Sequence, residues 1–586
     1  MLTEEQQAFA NHLSGVFVEA CPGSGKTLTI VARIDRIAAT LPTRRGIAVI
    51  SFTNTAIETF IRRCHTVGLD SVLRYPGFIG TFDAFIRHFF FAPGGIDGIT
   101  LRPTVVDSWK TLKIDIRLQG ANAFNGPGVG LDLFDAKTNR IDPASISHIG
   151  LRAHVQNHLA AYQQTAERRR RALRQNGYLS AADVRVVVVQ RLQRADWSAV
   201  IGGALRARFQ EVIVDEAQDC NPLDCQIIKW LRRQNIAVTV VSDPDQAIFE
   251  FRDSNPAELR AVGDEYDAQD RLILTGNFRS SPPICNVAAT LRARVVPDRS
   301  IGDTAAITAP VQILFYQGAT IPDSIGRWFC EQLEAAGINK KEGIILAHAR
   351  KTALRACGSG AEADAGESKV ADMARAVGIY WSSSGSGRAR ESAICIVERS
   401  LLDLMGKIND GEIPLRAAEN RGINPRWLRR CALLLVSQLP RTCADNNDAR
   451  IGWISALRDQ VRDLHLVYRD GISEAQYFRN RAGANWQRLL TFGETSGILT
   501  STVHEAKGKE YEAVCVVIPP DHGEPHWTEQ LVTRWESRED HEAKRVIYVG
   551  ITRAKKLGVI AIPSAFRGRL SGILQAAQAN WQTNDL

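Results

Sequence analysis

The sequence lacks a long hydrophobic run, a CxxC pair and a large excess of charge of either sign. Its longest apolar stretches, such as residues 184–189, are far too short to cross a bilayer, so we expect no membrane partner. The 11 cysteines are scattered, which favours reduced thiols over a disulfide framework. The opening MLTEEQQAFA has no charged-then-apolar pattern, so we expect no secretion and a cytoplasmic location. A net charge of +8 permits a polyanionic partner but does not require one.

Two kinds of pattern alternate along the 586 residues, which are enough for several domains. Short apolar runs separated by helical spacing are typical of α/β domains with buried parallel strands. Stretches with helical spacing and no buried strand interrupt them and are interpreted as insertions. The predicted organisation is a first α/β domain (1–82 and 206–270) with a helical insertion (83–205), and a second α/β domain (271–350 and 488–586) with a mainly helical insertion (351–487). The predicted strands of the second α/β domain include residues 311–316, 343–347, 497–504, 513–519, 546–552 and 557–563.

The most specific local pattern is VFVEACPGSGKT at residues 16–27, an apolar strand followed by a glycine-rich loop and a helix. Backbone N–H groups of such a loop point at phosphates, Lys26 reaches the β and γ oxygens, and the Thr27 hydroxyl can bind Mg²⁺. An accidental glycine-rich turn would not need the strand, the helix and the GKT sequence together. The predicted nucleotide-binding residues of this loop are Ala20, Cys21, Pro22, Gly23, Ser24, Gly25, Lys26 and Thr27.

Two further strands end in polar side chains that a phosphate loop requires. The stretch VIVDEAQD places Asp215 to bind Mg²⁺ and Glu216 to orient and deprotonate the attacking water. The stretch VSDPDQAIFEFR places Gln246 to sense the γ-phosphate. Phe251 in the same stretch either packs in the core or stacks on a nucleic-acid base, since aromatic platforms hold single strands.

Nine stretches along the chain form an ordered set of motifs. They are LTEEQQ, ACPGSGKT, ISFTNTAIETF, GTFDAF, VDEAQD, SDPDQAIFEFR, LTGNFRSS, TSTVHEAKGKEYEAV and EAKRVIYVGITRAKK. In this order they resemble the motifs of superfamily 1A DNA helicases of the UvrD/Rep/PcrA type. That resemblance implies two RecA-like P-loop domains, each with a helical insertion, which use ATP and Mg²⁺ as cofactors. It also implies single-stranded DNA, or a duplex with a single-stranded tail, as the partner.

The resemblance also implies roles at matching positions. Gln6 would recognise adenine, and Phe278 occupies the position of a tyrosine that stacks on the base. Arg279 and Arg553 match the two arginine fingers, and Glu510 would contact the ribose. Residues that match strand-contacting positions are Phe52, Thr53, Asn54, Phe82, Phe251, Arg252, Thr502 and His504.

Several departures from the family pattern limit how far the resemblance extends. Asp83 replaces the usual histidine, Ser242 replaces a glycine, and the second insertion is short. The resemblance predicts an ATP-dependent helicase that moves 3′→5′ on single-stranded DNA. The departures favour an alternative, in which the chain resembles the helicase (B) subunit of Gabija-type phage-defence systems. Such a subunit would sense DNA ends or gaps and partner an OLD-type nuclease.

Two arginine-rich stretches remain open to two interpretations. ERRRRALR at residues 167–174 and RGINPRWLRR at residues 421–430 are dense in positive charge. Each is either a solvated helix face or a contact for nucleic-acid phosphates, and the second stretch is also open to a protein partner.

Overall fold

The chain folds into two compact units, Met1–Thr275 and Gly276–Leu586, in a computed structural model. The fold class predicted from the sequence is confirmed, because each unit is built on a six-stranded parallel sheet with helices around it. The structure describes residues 2–42, 44–95, 103–112, 114–146, 148–248, 256–292, 296–358, 368–381, 387–408, 414–469, 471–479, 486–490, 498–521 and 526–586.

The first sheet has the strand order β10-β1-β9-β8-β2-β3, and every pairing in it is parallel. Its central strands are short runs rich in Val and Ile and are almost wholly buried, as expected for a sheet covered on both faces. The strands of this unit are β1 (Phe17–Ala20), β2 (Gly46–Ser51), β3 (Phe78–Thr81), β4 (Thr104–Val106), β5 (Asp115–Ile116), β6 (Val129–Gly130), β7 (Tyr178–Ser180), β8 (Phe209–Val214), β9 (Ala237–Ser242) and β10 (Arg271–Leu274).

The helices of the first unit begin where the sequence offers capping side chains. Thr3 caps the first helix, Thr53 the third and Asn221 the ninth, each by accepting hydrogen bonds from backbone N–H groups of the first turn. The helices are α1 (Glu4–Asn11), α2 (Lys26–Ala38), α3 (Asn54–Thr66), α4 (Phe82–Ile86), α5 (Ile149–Asn157), α6 (Leu159–Gln175), α7 (Ala181–Leu192), α8 (Ala195–Arg208), α9 (Pro222–Arg233) and α10 (Pro256–Gly263).

The region predicted as the first insertion has a hydrophobic cluster of its own. Trp109, Leu131 and Tyr162 are buried within it. The sequence predicts no buried strand here, but β4 pairs with β7 in parallel and Leu179 of β7 is buried. A strand of three residues is too short to carry a periodic signal, which is why the prediction missed it.

The second sheet has the order β15-β14-β16-β17-β13-β18 and is parallel throughout. Two details differ from the sequence prediction. Residues 271–274, which the sequence analysis assigns to the second α/β domain, form β10 and pair with β1 of the first sheet. The two strands are far apart in sequence, so no local pattern indicates that they pair. The strands of this unit are β11 (Gly276–Asn277), β12 (Arg299–Ser300), β13 (Val311–Tyr316), β14 (Gly343–Ala347), β15 (Leu499–Thr502), β16 (Tyr511–Val517), β17 (Ala554–Pro563) and β18 (Trp581–Asp585).

The second difference is that residues 546–552, predicted as a strand, belong to a helix that ends at Ile551. Every residue from Ala543 to Ile551 is buried, and the run VIYVGI at residues 546–551 has no charged position to reveal the helical period. The helices of this unit are α11 (Pro282–Ala289), α12 (Ser324–Ala335), α13 (Arg350–Ala356), α14 (Lys369–Trp381), α15 (Gly387–Leu404), α16 (Pro414–Asn420), α17 (Pro425–Gln438), α18 (Asn447–Asp463), α19 (Glu474–Tyr477), α20 (Val503–Ala506), α21 (Trp527–Glu536), α22 (Glu542–Ile551) and α23 (Arg567–Ala576).

In the region predicted as the second insertion, helices α14 to α18 pack around a hydrophobic core that includes Met373, Leu435, Trp453 and Trp486. None of the helices in the described part of the chain is both long and apolar enough to span a bilayer.

Candidate nucleotide and DNA site

The phosphate loop joins β1 to α2 at the carboxyl edge of the first sheet. Gly23 and Gly25 have φ angles of 71° and 73°, left-handed conformations that glycine adopts without strain. The Ser24 N–H donates to the carbonyl oxygen of Cys21 at 3.2 Å and closes the turn. Helix α2 begins at Lys26, so its positive end and its first free N–H groups face the loop. The loop is therefore shaped to receive phosphate oxygens.

Gln6 of α1 lies directly against this loop. Its Nε2 donates to the carbonyl oxygen of Ser24 at 2.8 Å, and its Oε1 accepts from the Thr3 N–H at 3.0 Å. The contact is so close that a Cβ atom on Gly25 would lie 2.9 Å from Gln6 Nε2. The amide thus fastens α1 to the phosphate loop, and its predicted contact with adenine stays a prediction.

Asp215 and Glu216 follow β8 on the same edge of the sheet. The Asp215 N–H donates to the carbonyl oxygen of Ile50 at 2.8 Å, and Asp215 Oδ1 accepts from the Glu216 N–H at 2.9 Å. Glu216 has a φ of 56°, an uncommon conformation for a residue with a side chain. Burial and the Glu216 carboxylate raise the pKa of Asp215 to about 7, while the Lys26 ammonium opposes the rise. Lys26 and the two acids therefore belong to one electrostatic site.

A Mg²⁺ ion carried by a nucleotide fits this arrangement. Burial first, and the Glu216 carboxylate second, disfavour a charged Asp215 and raise its pKa, and a bound cation would stabilise that charge. The described residues contain no group of three or more His, Cys, Asp or Glu side chains able to hold a metal ion. An ion here would therefore take most of its ligands from phosphate and water, with Thr27 and Asp215 contributing, and Mg²⁺ prefers such a set.

A chain of hydrogen bonds links Glu216 to Gln246. The Gln218 amide donates to the Glu216 carboxylate, and Gln218 Oε1 accepts from the Asp243 N–H at 3.0 Å. Asp243 Oδ2 in turn accepts from Gln246 Nε2 at 2.7 Å. Gln218, Asp243 and Gln246 are all at most 3% exposed. The sequence analysis assigns no role to Gln218 or Asp243, although both lie inside the motifs that it identifies.

Behind the site, Arg33 holds three of its elements together. Arg33 of α2 is 1% exposed, and its Nε donates to Glu211 Oε1 of β8 at 2.8 Å. Its Nη1 donates to the carbonyl oxygen of Phe9 in α1 at 3.0 Å. Thr239 of β9 also donates to Glu211. The sequence analysis missed this network, for which the only local signal is a charged residue within an apolar helix face.

The predicted DNA-contacting residues of the first unit follow β2 and β3. The Phe52 and Phe82 rings stack with centroids 5.3 Å apart and planes at 18°. Phe82 is only 1% exposed, whereas Phe52 is half-buried. Thr53 Oγ1 accepts from the Ala56 N–H at 3.2 Å as the cap of α3, and Asn54 is exposed beside it. The structure therefore presents Phe52 and Asn54 to solvent more than Phe82. Phe251 and Arg252 lie outside the described residues.

In the second unit, Phe278 and Arg279 follow β11. Phe278 is 41% exposed, so part of its side chain is accessible to solvent. Arg279 Nε lies 3.1 Å from Glu510 Oε2, and its Nη1 donates to the carbonyl oxygen of Thr552 at 3.2 Å. Burial alone would raise the pKa of Glu510, but hydrogen bonds from Lys555 and Arg279 outweigh it and lower that pKa. The predicted finger and the predicted ribose contact are thus paired with each other.

The remaining predicted residues of the second unit have structural contacts of their own. Arg553 is 2% exposed, and its Nε donates to the carbonyl oxygen of Val549 at 3.0 Å. Thr502 caps α20 by accepting from the Glu505 N–H at 3.2 Å. The ring centroid of His504, in the same helix, lies 5.4 Å from that of His348. The roles predicted for these side chains stay predictions.

Comparison with known proteins places the chain in a family. Residues 1–91 and 132–267 match the model of the UvrD/REP helicase N-terminal domain, and residues 484–564 match that of the UvrD-like helicase C-terminal domain. YjcD of Bacillus subtilis is 21% identical over 62% of this chain and 53% of its own length. The ATP-dependent DNA helicase UvrD2 of Mycobacterium tuberculosis is 24% identical over 61% of this chain and 48% of its own length. The chain thus spans about half the length of these two curated relatives.

A shorter stretch is more similar to a third protein. The ATP-dependent DNA helicase Rep of Salmonella typhimurium is 34% identical over 15% of this chain and 14% of its own length. Because the two family models together match more than half of the sequence, the chain belongs to the UvrD/Rep-like superfamily 1A helicase family.

Proposed function

We propose that this protein is an ATP-hydrolysing DNA helicase that steps along single-stranded DNA. One observation carries the proposal. The phosphate loop, Asp215 and Gln246 follow β1, β8 and β9, and Phe52 follows β2, which is the next strand beyond β8 in the same parallel sheet. The carboxyl ends of parallel strands share one edge, so the nucleotide residues and the half-buried Phe52 follow neighbouring strands along it. In this proposal, a change at the nucleotide would act on the DNA contact through this shared edge.

In this proposal the first unit supplies the groups that position ATP and the attacking water. Lys26 and the N–H groups of the phosphate loop bind the β- and γ-phosphates. Thr27 and Asp215 would hold Mg²⁺, which neutralises charge on the phosphate oxygens. Glu216, held by Gln218, accepts a proton from water as it attacks the γ-phosphoryl group.

The second unit contributes positive charge and nucleotide contacts in this proposal. Arg279 and Arg553 act as arginine fingers, a role that rests on the family resemblance. Such fingers are worth about 10³–10⁵ in hydrolysis rate, because charge develops on the transferring phosphoryl group. The remaining nucleotide contacts are Gln6 to adenine, Phe278 to the base and Glu510 to the ribose.

We propose that the DNA partner is a single strand, or a duplex with a single-stranded tail, along which the protein moves 3′→5′ and separates duplexes. The half-buried Phe52 ring supports the strand contact, since aromatic side chains stack on bases without sequence preference. The direction of movement rests on the family resemblance.

ATPase and strand-displacement assays on 3′-tailed, 5′-tailed and blunt duplexes test this proposal. We expect DNA-stimulated hydrolysis and displacement with the 3′ tail alone. Lys26→Ala serves as the negative control, because it removes the proposed phosphate contact from a half-buried position at the start of α2 without removing a core side chain. Hydrolysis that DNA does not stimulate would contradict the proposal, and displacement from the 5′ tail alone would reverse the direction.

A second candidate function is a DNA-end- or gap-sensing ATPase subunit of a phage-defence complex that partners an OLD-type nuclease. The observation in its favour is Asp83 at the position of the family histidine, because it is paired with Arg185 at 2.7 Å and places a carboxylate where a DNA strand would meet negative charge. DNA-stimulated ATPase without strand displacement on any of the three substrates would favour this candidate over the helicase.

A further inference from the structure

The first insertion contains a basic cavity that the proposed ATP and strand-contact residues do not include. The cavity measures about 200 Å³ and lies between α6, α7 and the turn that precedes residue 140. Its lining includes Lys137, Arg170, Arg171, Arg174, Tyr178 and Gln190. On α6 the lining positions 167, 170, 171 and 174 are spaced as one helix face, while positions 168 and 169 face elsewhere. The dense positive charge of this stretch is therefore divided between a cavity wall and an outer surface.

Arg170 forms a fixed floor for the cavity. Its side chain is 11% exposed, and its Nη1 lies 2.5 Å from Asp183 Oδ1. Its Nε donates to Asn139 Oδ1 at 3.0 Å, and its Nη2 donates to the carbonyl oxygen of Phe134 at 3.0 Å. Because its donors are engaged on several sides, the guanidinium is held in one orientation.

The mouth of the cavity has an excess of positive charge. Arg171 is paired with Glu167 at 2.7 Å, and Arg170 with Asp183. Within the described parts of the chain, Lys137 and Arg174 form no ion pair, so two cations are left to attract an anion. Tyr178 adds an aromatic ring that is 40% exposed. Two free cations beside an exposed ring match the two halves of a nucleotide, a phosphate and a flat base.

We infer that this cavity binds one nucleotide unit of a DNA strand, with Lys137 and Arg174 on the phosphate and Tyr178 against the base. The inference rests on the proposed function, because it assumes that DNA is the partner. A strand provides the phosphate and the base together, so one nucleotide unit can meet both the cations and the ring that line this cavity. The same chemistry could also come from a free nucleotide, which the experiment separates from the strand.

The test measures binding of a fluorescent oligo-dT by the full chain at several salt concentrations. For Lys137→Ala/Arg174→Ala we expect a Kd weaker by on the order of tenfold at 0.15 M salt, and a salt slope reduced by about 0.7 for each lost contact. The matched control, Arg168→Ala/Arg169→Ala, removes the same charge from exposed positions of the same helix and should leave the slope nearly unchanged. Tyr178→Ala should weaken binding by at least about fivefold, and Tyr178→Phe should restore it.

Equal losses in the cavity variant and in the control would overturn the inference, since general electrostatics would then explain both. Binding of dTMP that depends on Lys137 and Arg174, with oligo-dT binding unchanged, would also overturn it in favour of a free nucleotide. Thermal melting of each variant checks the fold. If the unaltered chain binds oligo-dT and hydrolyses ATP while the cavity variants match the control, this inference fails alone. If the unaltered chain does neither, the proposed function fails.

Discussion

Nη1 of Arg185 lies 2.7 Å from Oδ1 of Asp83, so the residue that departs from the family pattern has its own partner within the first unit. The Nε of the same guanidinium lies 2.7 Å from Asp224 Oδ1. Arg185 belongs to α7, Asp83 to α4 and Asp224 to α9. One side chain of α7 therefore joins α4, at the start of the predicted insertion, to α9 of the first α/β domain.

The two carboxylates of this cluster predict very different effects of mutation. Asp224 is 1% exposed, so Arg185→Met leaves a buried carboxylate unpaired and should lower the free energy of unfolding by about 3 kcal/mol or more. Asp83 is 51% exposed, so Asp83→Ala should cost about 1 kcal/mol or less. Urea unfolding of both variants measures the difference. Equal effects would contradict the assignment of Asp224 as the buried partner.

Gln218 is expected to act as a positioning residue for hydrolysis. Its amide holds the Glu216 carboxylate, which would orient the attacking water, so Gln218→Ala should lower kcat by about 10²-fold with little change in the KM for ATP. Gln226→Ala, at an exposed position of the following helix, is the matched control and should leave kcat unchanged. Steady-state ATPase assays with saturating DNA separate the two parameters. A rise in KM with unchanged kcat would assign Gln218 to nucleotide binding instead.

Asp215 is expected to make the protein less stable as pH rises. Its folded-state pKa of about 7 lies above the value of about 3.9 in an unfolded chain, because burial and Glu216 disfavour the charged form. The stability that this group contributes is therefore full below about pH 4 and is lost as pH rises towards 7. Asp215→Asn should raise the free energy of unfolding at pH 8 by at least about 1 kcal/mol and have little effect at pH 4. Thermal melting at both pH values, without nucleotide or Mg²⁺, tests this, and an equal effect at both would contradict it.

The parts of the structure that the sequence predicts are those with a local cause. The phosphate loop is predicted because its glycines, Lys26 and the flanking strand and helix are contiguous. The hydrogen bonds from Asp243 to Gln218 and from Arg33 to Glu211 join residues 25 and 178 positions apart, and no periodic pattern in the sequence indicates such pairs. The helix at residues 546–551 was predicted as a strand because uniform burial removes the alternation that distinguishes the two.

Phe52 and Phe82 stack on each other, but we expect alanine substitutions at the two positions to have different effects. Phe82 is 1% exposed, so Phe82→Ala should lower the free energy of unfolding by about 3–5 kcal/mol. Phe52 is half-buried, so Phe52→Ala should chiefly weaken DNA binding, by the roughly 1–3 kcal/mol of a lost base stack. Phe52→Trp should retain DNA-stimulated ATPase. Unaltered DNA stimulation in Phe52→Ala would return that ring to a packing role.

The ion pair between Arg279 and Glu510 suggests a second role for Glu510 beside the proposed ribose contact, namely to position Arg279. The kinetics of one variant separate the two roles. Glu510 is 49% exposed, so Glu510→Ala should change the free energy of unfolding by less than about 1 kcal/mol. If Glu510 contacts the ribose, the variant should have a raised KM for ATP and should discriminate less between ATP and 2′-dATP. If Glu510 instead positions Arg279 as a finger, kcat should fall at unchanged KM. Glu512→Ala is the matched control. Like Glu510, Glu512 pairs with Lys555, at 3.4 Å, whereas the ion pair with Arg279 is made by Glu510. We expect a raised KM for ATP with weaker discrimination against 2′-dATP, together with a partial loss of kcat, because one carboxylate serves both the ribose and Arg279. A Glu510→Ala variant with the same kinetics as Glu512→Ala would remove Glu510 from the site.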